Sequence, residues 1–277
     1  MTDLRQQIIE LGPWHLEVEV DGGISTEVFL DAPPRTYSGS LGPISFNRPR
    51  PDFRTLMSRL YPDGLASRSV LDCACNCGGY LFWAKELGAG ECMGFDVRSH
   101  WIDQARFLTR HRSESSEDIR FEVCDLYDLG RFDLAPFEIT LFQGIFYHLP
   151  DPVTGLRIAA ELTSELLIVN TATRNGLPDR LLFLAEEDPD LLMSGSHGLN
   201  WFPTGPEVLR RILAWLGFGE TRLLWWRTEV DAQPAELGRL SLLAARTAET
   251  FLVFDSTSGG GTGQPAWPPD TQIDGAT

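Results

Sequence analysis

Read as a succession of apolar and polar positions, the chain resolves into short strands alternating with amphipathic helices. The clearest run is 69–98, SVLDCACNCGGYLFWAKELGAGECMGFDVR. Val70 and Leu71 close an apolar strand with Asp72 at its end, and a loop of small residues over 73–79 follows. Tyr80, Trp83 and Leu87 then fall at i, i+3 and i+7, and Gly88 stands where a left-handed cap stops a helix. A second apolar run, 92–95, ends in Asp96.

The pattern continues in the same sense. A helix over 99–109 puts Trp101, Ala105 and Leu108 on one side, and a strand over 119–124 ends at Asp125. A fourth strand, 138–142, leads into the polar and aromatic loop QGIFYHLPDP, and a helix over 152–162 with a strand over 166–171 completes another βαβ unit. Alternation of this kind predicts an α/β fold with a mostly parallel sheet. Thr204 to Glu207 have the spacing that predicts a capping box, with Pro206 in the first turn of a helix. Two strands, 221–228 and 239–246, predict a terminal antiparallel hairpin.

Ahead of this core, 2–11 predicts a short helix ended by Gly12-Pro13. Residues 15–20 and 24–30 flank the turn Asp21-Gly22-Gly23 as a hairpin, and prolines then punctuate an irregular arm. We expect an N-terminal cap and arm over 1–60, a ligand-binding catalytic domain over 61–255 interrupted by an insertion at about 174–203, and a disordered Gly-, Pro- and Thr-rich tail over 256–277. The insertion, with acids at Glu186, Glu187, Asp188 and Asp190, has the character of a lid.

In open α/β sheets ligands bind outside the carboxyl ends of the strands, so Asp72, the loop through Cys73, Ala74, Asn76 and Gly78, and Asp96 with Val97 should share one crevice. Ala74, Asn76 and Gly79 fill the three slots of a dinucleotide G-x-G-x-x-G. Two glycines are absent, and Asn76 would crowd a pyrophosphate, so a nucleoside without pyrophosphate suits the loop better than a nicotinamide cofactor.

Composition narrows the choice. The 277 residues carry 23 Lys and Arg against 39 Asp and Glu, a formal charge of −16, which opposes a broad grip on phosphates. Arg48, Arg50 and Arg54 are read as arginines on a solvated surface. No apolar run is long enough to span a bilayer and the start shows no secretory pattern, so a cytoplasmic location is expected. Cys73, Cys75 and Cys77 alternate too closely for paired zinc ligands, so no metal is expected and buried thiols are.

The strand-end acids with the glycine-containing loop between them resemble the class I S-adenosylmethionine-dependent methyltransferases. That resemblance implies a Rossmann-like sheet and S-adenosyl-L-methionine as cofactor, with Asp96 receiving the ribose hydroxyls and Asp72 orienting the loop or the cofactor's amino group. It implies an adenine contact from Asp125 and Leu126, although Asp125 is equally suited to cap the turn that follows it. Gln143 and Gly144 stand at the fourth strand end, on the cofactor side. Trp14-His15, the GIFYHLPDP loop and the NWFPTGPEVLRRILAWLGF segment are similar to the bacterial tRNA wobble-uridine methyl- and carboxymethyltransferases. In the carboxymethyl branch a lysine of the N-terminal arm and a tyrosine bind the cofactor's carboxylate. Tyr147 matches the tyrosine, but 42–53 holds no lysine, so plain S-adenosylmethionine is expected.

Methyl transfer from a sulfonium needs alignment first and a base only where the acceptor must lose a proton. His148 is the candidate base, or else a loop histidine bonded to backbone, and Tyr147 packs beside the cofactor's methionine portion. Trp14, His15, His197, Asn200 and Trp201 are candidates for the acceptor pocket; Trp14 and Trp201 are also explained by packing. The charge favours a small-molecule acceptor, methylated at oxygen or nitrogen, over tRNA. A binding protein without transfer activity is the reading of another class.

Overall fold

The computed structural model describes residues 3–26, 38–39, 42–43, 52–112, 119–186, 188–228 and 236–257. The expected strand residues 27–30, Arg48 and Arg50, and residues 258–277 of the expected tail lie outside them, whereas Ser256 and Thr257, expected to begin that tail, end a helix.

Seven strands, numbered in chain order, form the main sheet: β1 Val70–Cys73, β2 Cys92–Asp96, β3 Ile119–Val123, β4 Phe137–Gln143, β5 Thr163–Arg174, β6 Glu220–Thr228 and β7 Leu237–Ala245. Their spatial order is β6-β7-β5-β4-β1-β2-β3. The pairs from β3 to β5 are parallel, and β7 is antiparallel to both β5 and β6. This is the Rossmann-like arrangement expected from the sequence, with the strand order reversing between β1 and β4.

Each central strand feeds both faces. Val70, Ile139, Leu141, Leu166 and Ile168 enter one apolar cluster, while Leu71, Phe142, Leu167 and Val169 enter the other. That is the two-residue period of a sheet buried on both sides. The first face is covered by α1 Leu4–Leu11, α2 Asp52–Leu60, α3 Gly79–Glu86, α4 Ser99–Arg110 and α7 Leu252–Thr257. The second is covered by α5 Pro152–Glu161 and α6 Pro206–Trp215.

The N-terminal segment lies against this core. Trp14 is buried and its Nε1 donates to Ile8 O at 2.8 Å, while Gln104 Nε2 of α4 donates to the carbonyls of Leu11 and Pro13. Leu16 and Val18 sit so close over Gly79 that a Cβ there would meet them at 3.1 and 3.3 Å. The described hairpin is short, Glu19–Val20 against Ile24–Ser25. Arg54, read from sequence as a solvated arginine, pairs with Glu86 and lies over the Trp83 ring.

Candidate active site

Strand ends, loop and insertion surround a cavity of about 230 Å³ outside the carboxyl ends of β1, β2, β3 and β4. Asp72 closes its floor. The residue is buried, its Oδ2 has no hydrogen-bond partner, and burial, then the charge of Asp96, push its carboxyl well above the usual range.

The loop after Asp72 alternates in hand. Ala74 has φ +61°, Asn76 φ +53° and Gly78 φ +80°. The first two stand where the fingerprint places glycines, so the chain keeps the left-handed backbone without the residue that adopts it freely. Asn76 Oδ1 accepts from Cys77 N at 2.8 Å, a local bond that suits asparagine to this region. Gly78 caps α3 with its α-carbon against the Phe121 ring, where a Cβ would come within 2.4 Å.

Asp96, at the end of β2, takes the backbone N–H of Asn76 on Oδ2 at 3.1 Å and that of Arg98 on Oδ1 at 3.0 Å. Burial raises its carboxyl to about 6, and those two donors with the Arg98 charge restrain the rise. A floor of two buried carboxyls, one with an orphaned oxygen, calls for hydroxyl donors and positive charge. An adenosyl sulfonium carrying an ammonium group and a ribose diol supplies both, so the residues present fit that cofactor.

Asp125 follows β3 and caps the turn after it, while its second oxygen meets His197. Oδ1 accepts from Tyr127 N at 2.9 Å as a turn cap, and Oδ2 lies 2.8 Å from His197 Nε2. Leu126, Gln143, Gly144 and Val97 also line the cavity, and Gln143 Nε2 is buried without a partner. Beyond β4, Tyr147 and His148 occupy a single 3-10 turn with ring centroids 4.0 Å apart. Asn200 Nδ2 donates to Tyr147 O at 3.3 Å, and Phe202 stacks on the Tyr147 ring.

The cavity therefore brings together Asp72, Ala74, Asn76, Asp96, Val97, Asp125, Leu126, Gln143, Gly144, Tyr147, His148, His15 and His197. It does not include Cys73, whose side chain points into the core from the strand, nor Gly78, which serves the helix start. Trp14 is core, Asn200 is fully buried behind Tyr147, and Trp201 packs on Phe183 with its Nε1 buried. His197, expected beside the acceptor, sits instead on Asp125. Cys75 and Cys77 are buried thiols raised by desolvation, Cys77 to about 12, and Cys75 fills the space against Gly94.

Sequence reasoning missed Tyr80, Arg98, Trp101, Asn170, Ser194 and Arg239, all lining the cavity. Arg98 lay within reach, two residues past Asp96. Arg239 did not, because the antiparallel register that sets it opposite Ala172 and within 5.9 Å of the Tyr147 ring is a long-range pairing.

No protein-family model matches the chain. Over 112 residues, 38% of this chain and 36% of the relative, it is 28% identical to a protein named tRNA U34 carboxymethyltransferase from Nautilia profundicola. A protein of the same name from Campylobacter hominis is 34% identical over 37% of this chain and 33% of the relative. A ubiquinone biosynthesis O-methyltransferase from Bordetella avium is 28% identical over 50% of this chain and 57% of the relative. The match thus spans about a third of the length of the two carboxymethyltransferases. Among solved structures, the N-terminal domain of EvdMO1, determined in the presence of SAH and D-fucose, superposes with a TM-score of 0.65 at 19% identity, covering 88% of this chain and 97% of that one. In fold the chain is similar to that solved domain, and over part of its length it is similar in sequence to proteins named as methyltransferases.

Proposed function

We propose that the chain transfers a methyl group from S-adenosylmethionine to oxygen or nitrogen of a small-molecule acceptor. The observation that carries this reading is the floor of the cavity, where buried Asp72 and Asp96 flank a left-handed loop and leave a carboxylate oxygen without a donor. When bound, the cofactor supplies an electrophilic methyl on sulfur. Asp96 accepts the ribose hydroxyls, Asp72 holds the ammonium end directly or through water, and the rim at Asp125 and Leu126 borders the adenine.

The opposite flank is left for the acceptor. Tyr147 and His148 stand there with Arg239. His148 takes the proton of an acceptor hydroxyl at an imidazole nitrogen as the oxygen attacks, which general-base catalysis requires within hydrogen-bond reach. Stacking by Phe202 and the bond from Asn200 hold the turn in place, so alignment is built into the backbone. A cavity covered by the insertion and a chain charge of −16 support a small molecule over a polyanion. The test is incubation with labelled methyl donor and extract metabolites, read by mass spectrometry, beside calorimetry with S-adenosylhomocysteine (SAH). SAH binding without label transfer to any acceptor would favour a non-catalytic binding protein.

The similarity to proteins named tRNA U34 carboxymethyltransferases supports one further reading, methylation of a tRNA wobble uridine. Transfer of label to unmodified tRNA, with none to small molecules, would select it.

A further inference from the structure

The insertion between β5 and α6 spans the crevice from one flank to the other. Its antiparallel stem, Leu181–Glu186 against Leu199–Pro203, is rooted on the β4 and β5 side. There Asn200 donates to Tyr147 O, and Thr204 Oγ1 accepts from Arg180 N at 2.9 Å. The tip, 188–198, lands on the far side of β1. Arg98, just past β2, donates through one nitrogen to Pro189 O at 2.8 Å and Ser194 O at 2.9 Å. His197 meets Asp125, just past β3, and its ring stands edge-on to Tyr127 with centroids 5.9 Å apart. Between the two footings, Leu192, Met193 and Ser194 line the cavity itself.

We propose that this insertion is a strap closed over the cofactor, and that Arg98 and His197 are positioning residues that latch its tip and set how long the cofactor stays. The latch rests on the reading of the cavity as an S-adenosylmethionine site. It differs from an acceptor lid in where it is fastened. The ties that Arg98 and His197 make with the tip fall on the strand ends that border ribose and adenine, while Tyr147, His148 and Arg239 stand across β1. Arg98 follows Asp96 by two residues and bonds to it through its backbone N–H, so the ribose acid and the latch share one turn. Product release must then wait for the tip to undock, a common rate-limiting event in closed sites.

Two measurements on the full chain test this. In hydrogen–deuterium exchange, saturating SAH should slow exchange of 188–198, and stopped-flow Trp fluorescence, with Trp101 on the cavity wall, should report SAH release. Arg98→Ala and His197→Ala should each speed release about tenfold or more, since bonds to charged groups are lost, with association changed less than threefold. Arg98→Lys and His197→Gln keep a donor at the same place and should restore release to within threefold of the parent. Unaltered exchange in 188–198 on adding SAH, or release from both alanine variants within twofold of the parent, would overturn the latch. If SAH fails to bind the parent chain at all, the reading of the cavity falls and takes the latch with it.

Discussion

The backbone N–H of Asn76 donates to Asp96 Oδ2 at 3.1 Å, joining the loop after β1 to the acid after β2. The bond ties the left-handed loop to the carboxylate, which the Arg98 N–H holds from its other oxygen. Replacing Asp96 by alanine should weaken SAH binding by about a hundredfold or more, because a buried acceptor of charged-group hydrogen bonds is lost. Titration calorimetry reads the affinity, and circular dichroism should show the fold retained. Unchanged affinity would remove Asp96 from the cofactor site.

The acidity of the same group gives a pH signature. With its carboxyl raised to about 6, Asp96 is protonated below that pH in the free protein, and a protonated acid is a poorer acceptor for a ribose diol. SAH affinity should fall about tenfold per pH unit below about 6 and level off above it. Folding shows the opposite dependence at this site. A carboxyl raised above its unfolded value holds more protons in the folded state, so its contribution favours the free protein as pH falls from 6 toward 4. Calorimetric titrations from pH 5 to 8 check the first statement, and Asp96→Asn should flatten the profile.

Strain in the loop is measurable by two substitutions of opposite sense. Ala74 holds φ +61°, a conformation costing an L-residue roughly 1–2 kcal/mol, so Ala74→Gly should stabilise the chain by about 1 kcal/mol after the added entropy of the unfolded glycine. For a domain of this size that raises Tm by about 2–4 °C. Gly78→Ala meets both a φ of +80° and the Phe121 ring, and should cost roughly 2–4 kcal/mol. Thermal unfolding followed by calorimetry distinguishes the pair.

His148 should separate chemistry from binding. If it takes the acceptor's proton, His148→Ala lowers kcat by about 10²–10⁴ while SAH affinity stays within threefold. A variant with full kcat would leave alignment as the whole contribution of this turn.

Much of the frame could be read along the chain because it repeats a local rule. The parallel strands β1, β2 and β3 each bring an acid to their carboxyl end, Asp96 as the last residue of β2, Asp72 one residue before the end of β1 and Asp125 two residues past β3. The contacts that escaped notice obey no such rule. His197 reaches Asp125 across 72 positions, and Arg239 meets Tyr147 through the register of β7 on β5. Trp14 was legible in part, since the carbonyl that anchors it lies only six residues back, yet a tryptophan beside a histidine looks alike whether it covers a ligand or fills a core. Ala74 and Asn76 show the limit from the other side. The missing glycines changed the residue types and left the backbone course in place.

Strand β7 runs against its neighbours, so its beginning, with Arg239, arrives at the rim where parallel strands deliver their ends. The two acids of the cavity floor and the rim at Asp125 and Leu126 all come by residue 126, whereas Arg239 comes from more than a hundred positions later. The cavity thereby takes its walls from well-separated parts of the chain, an early socket and a late insert. Swapping the closing strand pair should retune which acceptor is welcomed while the socket's grip on its donor stays as it was.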